Sequence, residues 1–257
     1  MLDSAAEGNY TRVLSRQGGV TVTSCGNVVE KKGYRVYPNE VAAIKLVERY
    51  TDIPVPKIYH SAFTADEGCI KMSLMPGLKL EICWDDLDDD VKERLCREIW
   101  EMALKLREIP KPPEISHYFQ CNADGTASND VLITPARLEN TDPAPLATDA
   151  AVRQRIYDRY YHFNGRRYEK ELPSMLPRSS LSVFTHVDIA PRNIMVDKDA
   201  HVCGILDWES AGWYPDYWEY ANIMKPTMDE DWQAWMDRMA PQRWDIEGIK
   251  AARRVLF

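Results

Sequence analysis

The run FTHVDIAPRNIMVDKDAHVCGILDWESAGWYPDYWEY, Phe184–Tyr220, decides how the rest of this chain is read. Pro191 interrupts the segment that carries Asp188 and Asn193, so that segment is a loop. Ile194–Asp197 is a short apolar run, Lys198-Asp199 a turn signal, and His201–Leu206 a second apolar run. Two such runs about a short turn predict a β-hairpin. A turn centred there brings Asn193 within about two residues of Asp207 across the ladder. Asp188, Asn193 and Asp207 then converge at one end of the hairpin, as two carboxylates and a carboxamide. Hard oxygen donors with open positions suit Mg²⁺ holding a phosphate. Taken singly, these residues also read as turn formers and a turn cap. Their joint placement points to a site. Trp208, Trp213, Tyr214 and Trp218 read as core packing.

Working outward, Gly19–Ser24 (GVTVTS) alternates and is rich in β-branched residues, and Asn27–Lys32 (NVVEKK) follows Cys25-Gly26. Together they predict a hairpin. Asn39–Tyr50, after Pro38, predicts a helix with Val41, Ile44 and Val47 along one side. Pro54 and Pro56 prevent its continuation. A strand is expected over Cys69–Met75, and Pro76-Gly77 marks a turn and a candidate lobe boundary. Val91–Ile109 carries an apolar stripe at Val91, Leu95, Ile99, Met102 and Leu106 and predicts a long helix. Pro110–Thr148 is irregular, and further helices are expected over Asp149–Tyr161 and Asp229–Met239. Strands come early and helices late, an order that suggests a small α+β lobe followed by a helical one.

His186-Val187-Asp188-Ile189-Ala190-Pro191-Arg192-Asn193 matches H-x-D-x-x-x-x-N, the catalytic loop of protein kinases and small-molecule phosphotransferases. Ile205-Leu206-Asp207-Trp208-Glu209 resembles the segment that replaces D-F-G in the aminoglycoside phosphotransferase and choline kinase-like family. Ala211-Gly212, Pro215–Tyr220 and the run IPVPKIY at 53–59 resemble the branch of that family abundant in filamentous fungi. The likeness runs from about Val20 to Tyr220. It implies an α+β, protein-kinase-like two-lobe fold. The N-terminal lobe, 1–76, would carry an antiparallel sheet and one helix and bind nucleotide. The larger, mostly helical C-terminal lobe, 77–257, would hold the catalytic and acceptor sites.

The same resemblance implies an ATP- and Mg-dependent transfer of the γ-phosphate to a hydroxyl of a small molecule. Asp188 would accept the hydroxyl proton, and Asn193 and Asp207 would hold Mg²⁺. His186 would hold the loop in place by hydrogen bonds. Arg192 would face the transferred phosphate or pair with a carboxylate, and both readings stand. Lys31 would be the strand lysine that pairs with the helix glutamate Glu40. Lys32 is the alternative, since a slip of one residue changes which side chain faces in. Met72–Gly77 resembles the hinge, where backbone groups of Ser73 and Met75 would pair with adenine, and Pro110–Thr148 with the Asp149–Tyr161 helix would supply the acceptor pocket. One departure is plain. No G-x-G-x-x-G occurs, and only Gly18-Gly19 offers a loop over the phosphates. That favours a second reading, a repurposed or inactive kinase fold that binds or converts a small molecule without phosphoryl transfer.

Composition narrows the partners. The chain has 257 residues, 45% of them hydrophobic, with a formal net charge of -8 and a pI of about 5.2. Such an acidic surface argues against nucleic acid, which needs clustered Lys and Arg. No stretch approaches the length of a membrane span, and the first residues show no apolar signal core. Six scattered cysteines without C-x-x-C read as reduced thiols of a cytoplasmic protein. A monomer or weak homodimer is expected. Glu81, Asp85, Asp86, Asp88, Asp89 and Asp90 cluster after the hinge-like segment. The run reads as a solvated helix start. The sharper reading is that it attracts a cationic acceptor such as an amino sugar or amino alcohol.

Overall fold

Arg12–Gln17 (β1) and Val20–Cys25 (β2) are joined by Gly18-Gly19 alone in the computed structural model of the protein, which describes residues 11–134 and 144–256. Both glycines take positive φ, +54° and +80°, as a two-residue mirror-image type I turn requires. A Cβ on Gly19 would lie 1.8 Å from the Tyr34 ring, so no side chain fits there. β2 returns as Val28–Gly33 (β3), and the chain then enters Pro38–Tyr50 (α1), with Pro38 in the first turn. α1 buries Val41, Ala43, Ile44 and Val47. Ile58–Phe63 (β4) and Gly68–Ser73 (β5) complete a five-stranded antiparallel sheet in the order β1-β2-β3-β5-β4.

The hairpin, the helix and the later strand expected from the sequence are β2–β3, α1 and β5. β1 and β4 escape the reading because both are edge strands. β1 is exposed along almost its whole length and carries no alternating pattern. The expected strand over Cys69–Met75 begins at Gly68 and ends at Ser73.

After Pro76, Gly77 turns the chain at φ +87°, with the Val196 carbonyl pressed where a Cβ would sit. Leu78–Lys79 (β6) leaves the first sheet and pairs with Met195 and Val196. Leu80–Cys83 (α2) leads to Asp89–Arg107 (α3), which buries Leu95, Ile99, Trp100 and Leu106. Cys121–Asn122 (β7) precedes Asp149–His162 (α4), whose first turn is capped by the Thr148 hydroxyl accepting from the Ala151 N–H. Then come Leu172–Met175 (α5), Ser182–Thr185 (β8), Ile194–Val196 (β9), Val202–Ile205 (β10) and Gly212–Pro215 (β11). Trp218–Ile223 (α6), Glu230–Met239 (α7) and Glu247–Arg253 (α8) close the described chain.

Two small sheets, β10-β9-β6 and β7-β11-β8, sit among these helices. Trp208, Trp213, Tyr214, Tyr217 and Trp218 are fully buried. The aromatic run is therefore core, as expected. α8 lies beyond the sequence reading; it is short and docks on α4 and α5. Among the described residues, no helix is long and apolar enough to cross a membrane.

Candidate active site

The β9–β10 hairpin pairs Ile194 with Ile205, and the Leu206 N–H donates to the Asn193 carbonyl at 2.8 Å. Asp207 follows directly, in the left-handed region at φ +63°, a conformation that Asp tolerates through its short polar side chain. The hairpin thus sets Asn193 and Asp207 side by side, with the register expected of it.

Asp188 stands beside them. The Asn193 Nδ2 donates to the Asp188 carbonyl and to its Oδ2, both at 2.9 Å. The Arg192 guanidinium and the Lys225 ammonium each lie 2.6 Å from the carboxylate. Burial would raise the Asp188 pKa, but Lys225 and Arg192 outweigh it and hold the carboxyl below its usual range. Of the two readings open for Arg192, the structure shows the carboxylate pair.

The loop is held from behind. His186 is wholly buried; its Nδ1 accepts the Asp188 N–H at 3.1 Å and its Nε2 faces the Leu206 carbonyl at 3.0 Å. Both ring nitrogens are engaged, and burial lowers the His186 pKa, so the ring stays neutral with the proton on Nε2. It ties the loop to the end of β10 and offers no free nitrogen to a substrate. Val187 takes φ +79°, which is strained for a β-branched residue. Glu219, buried on α6, compensates: its Oε2 accepts the His186 N–H at 2.7 Å and its Oε1 the Val187 N–H at 3.1 Å. Burial pushes the Glu219 carboxyl up to about 7.

A folded pKa raised above the unfolded one contributes stability at low pH that is lost as pH rises through the folded value. Glu219→Gln removes that titration and turns an amide NH₂ toward one of two backbone donors. We expect a loss of about 1–3 kcal/mol and a flatter stability profile between pH 5 and 8. Chemical denaturation across that range checks both.

On the facing sheet, the Lys31 Nζ lies 2.9 Å from Glu40, 2.8 Å from Asp207 and 2.9 Å from Glu209. Burial alone would lower the Lys31 pKa, but the three carboxylates raise it well above the ordinary value. Burial pushes the Glu40 carboxyl upward, and Lys31 opposes it. Lys32 points the other way, exposed, and pairs with Glu67 at 3.0 Å. β3 alternation separates the two lysines: Lys31 faces α1 and Lys32 faces solvent.

Asn39 anchors Glu40. Its Nδ2 donates to the Glu209 and Ala211 carbonyls at 2.9 and 3.0 Å, and its Oδ1 accepts the Asp124 N–H at 3.1 Å. The first turn of α1 is thereby bolted to the segment after Asp207.

At the hinge-like segment, the Ser73 N–H and Oγ are both engaged by the Lys57 backbone at 2.9 Å. Met75 differs: among the described residues neither its N–H nor its C=O has a partner. Its side chain lies over Gly204, where a Cβ would come within 2.8 Å of the Met75 methyl.

The residues present suit a divalent cation. The Asn193 Oδ1 accepts no hydrogen bond among the described residues, since Asp188 holds the amide by its nitrogen alone. The Asp207 carboxylate is 39% exposed and gives only one oxygen to Lys31. Carboxamide and carboxylate oxygens are donors that Mg²⁺ prefers.

A family model described as "Phosphotransferase enzyme family" matches residues 31–252. The chain belongs to the phosphotransferase enzyme family. No curated protein matches its sequence. Solved structures share the fold of this phosphotransferase-family chain at low identity. The ADP-bound aminoglycoside phosphotransferase APH(2'')-Ib superposes with a TM-score of 0.62 at 12% identity, over 96% of this chain and 81% of that one. APH(3'')-Id from Streptomyces rimosus gives 0.56 at 16%, over 96% and 92%. A choline/ethanolamine kinase family protein from Mesorhizobium loti gives 0.53 at 15%, over 98% and 78%. The fold is thus the protein-kinase-like, two-lobe α+β fold expected from the sequence.

Glu209, Asn39, Glu219 and Lys225 of this phosphotransferase-family chain were not among the site residues expected from the sequence. Glu219 had a signal: a carboxylate between Trp218 and Tyr220 in an aromatic run is buried and must find donors. Lys225 and Asn39 had none. A cavity of about 580 Å³ lies beside Asp188. The sequence reading draws its walls from Pro110–Thr148 and α4. Asp130 and Val131 do line it, together with Val187, Ser210 and the ends of α6 and α8, while α4 does not. α4 instead stands behind the wall, where Arg159 donates to the Val131 and Thr134 carbonyls. Residues 135–143 of that segment lie outside the described residues. The acidic run Glu81–Asp90 is exposed before and at the start of α3, and none of it lines this cavity.

Proposed function

We propose that the chain is an ATP- and Mg-dependent small-molecule kinase that transfers the γ-phosphate to a hydroxyl. The observation that carries the reading is one cluster. The buried Lys31–Glu40 pair meets Asp207 at the end of the hairpin that also sets Asn193 against Asp188. Phosphoryl transfer needs little covalent work from a protein, only positioning and charge stabilisation. Here Lys31 positions phosphate oxygens, and Asp188 orients the acceptor hydroxyl and takes its proton. Asn193 and Asp207 hold Mg²⁺, which when bound neutralises phosphate charge. The backbone of the Ser73–Met75 segment receives the adenine edge. Lys225 and Arg192 keep Asp188 ionised and ready to accept the proton.

The boundary of the nucleotide lobe falls at Pro76-Gly77 in this reading, where β6 crosses to pair with β9. All six cysteines are free, which suits the reducing cytoplasm. A second reading, a kinase fold that binds a small molecule without transfer, rests on the two-residue β1–β2 turn, short for a phosphate-covering loop.

Mg-ATP binding separates the two. Asp207→Asn should abolish the Mg-dependence of ATP affinity and leave the fold intact, since Asp207 is partly exposed. Calorimetry with ATP, with and without Mg²⁺, reads this directly. Unchanged Mg-ATP affinity in the variant would remove Asp207 from the metal site. No Mg-ATP binding by the wild type at millimolar concentration would favour the second reading.

A further inference from the structure

The cavity against Asp188 carries more positive charge than its carboxylates can offset. Lys225, Arg253 and Arg254 line it, opposed by Asp130 and Asp188. Asp188 is already neutralised, with Lys225 and Arg192 each at 2.6 Å. Asp130 accepts the Leu132 N–H at 2.8 Å and the Trp218 indole N–H at 3.2 Å, and its charge offsets part of that of Arg253 without forming an ion pair with it, which leaves Arg254 uncompensated. Arg253 is 3% exposed, and its guanidinium donates to the Ala221 carbonyl and the Asn222 Oδ1. Neither acceptor is charged, and among the described residues Arg253 meets no carboxylate. A buried guanidinium is ordinarily paired. Arg254, next in the chain, is exposed at the cavity rim and likewise pairs with no carboxylate among the described residues. The dipole of α8 favours cations at its last turn. That accounts for basic residues at this place in sequence, but not for two of them lining the Asp188 cavity.

We infer that this cavity takes an acceptor alcohol bearing an anionic group, with Arg254 and the Arg253–Lys225 cluster recognising the anion while the hydroxyl lies at Asp188. The inference rests on the phosphotransferase reading and names its substrate class. It replaces the cationic acceptor suggested by the acidic run, whose charges lie elsewhere. Focused positive potential in a low-dielectric cleft attracts anions and repels ammonium groups.

Matched acceptors that differ only in charge test it: glycerate, glycerol and serinol as one series, glucuronate, glucose and glucosamine as the other. Binding is measured by calorimetry on the full chain, with and without Mg-ADP. In at least one series the anionic member should bind about tenfold or more tightly than the cationic one, a difference of about 1.4 kcal/mol. Arg254→Glu, an exposed position, should erase that preference and leave Mg-ATP affinity within about twofold, far less than the tenfold that 1.4 kcal/mol represents. Three results would each overturn the inference: equal or tighter binding of the cationic members, no binding of either anionic member, or a preference that survives Arg254→Glu. Mg-ATP affinity is read separately. Anion preference without nucleotide binding would sink the phosphotransferase reading alone, and nucleotide binding without anion preference would sink this one alone.

Discussion

Asp188→Asn is expected to lower phosphoryl transfer about 10²–10⁴-fold, the usual contribution of a positioned acid or base. That is about 2.7–5.5 kcal/mol of barrier. The substitution keeps the shape of the side chain and removes its charge. Asn193 still donates to the Asp188 backbone carbonyl, so the loop is held. His186 and Glu219 hold it by backbone groups that the substitution does not touch. Lys225 and Arg192 lose their counter-charge, but their side chains are 36% and 42% exposed and can turn to water. Stability should therefore change little, and Mg-ATP affinity should persist because the metal ligands are elsewhere. Single-turnover transfer beside a calorimetric nucleotide titration separates the effects. A variant that loses nucleotide binding and turnover together would show Asp188 to be part of the nucleotide site and not the base.

Lys31→Met is expected to weaken Mg-ATP binding by about tenfold or more and to cost the fold about 3 kcal/mol, because breaking a buried ion pair strands its partner. The side chain of Glu40 is 4% exposed, against 39% and 42% for Asp207 and Glu209. Asp207 and Glu209 can swing into water; Glu40 cannot, and without Lys31 its burial drives it to take up a proton. A carboxyl with a raised folded pKa stabilises the fold at low pH and loses that contribution as pH rises. Lys31→Met should thus be destabilised more at pH 8 than at pH 5, a difference readable in urea midpoints. Lys32→Met removes only an exposed pair with Glu67 and should leave both readouts unchanged. If Lys32→Met reproduces the loss of nucleotide and Lys31→Met does not, the strand lysine has been misassigned.

What local chemistry writes into neighbouring residues was legible before any fold was known. Pro191 made the Asp188 segment a loop, and Lys198-Asp199 placed the hairpin turn, from which a bulge between Val202 and Gly204 brings Asn193 beside the Asp207 end of the ladder. Apolar periodicity marked α1 and α3, and the aromatic run after Asp207 announced itself as core. Each of these is encoded within a few turns or one ladder, where spacing alone dictates which side chains meet.

Tertiary structure alone decided the rest, because the partners lie far apart in the chain and carry no mutual signal. Lys31 meets Asp207 and Glu209 across 176 and 178 residues, and the choice of Lys31 over Lys32 depends on which face of β3 packs on α1. Asn39 reads as an ordinary helix-start residue until the segment at 209–211 is placed against it. The acidic run looked like an attractor for cations by composition. Its position at the exposed start of α3 follows from packing, and so does the docking of α8, which turns Arg253 and Arg254 onto the cavity beside Asp188. Net charge is a property of the whole chain, but the field at a site depends on which few charges the fold brings within reach and which it leaves in water.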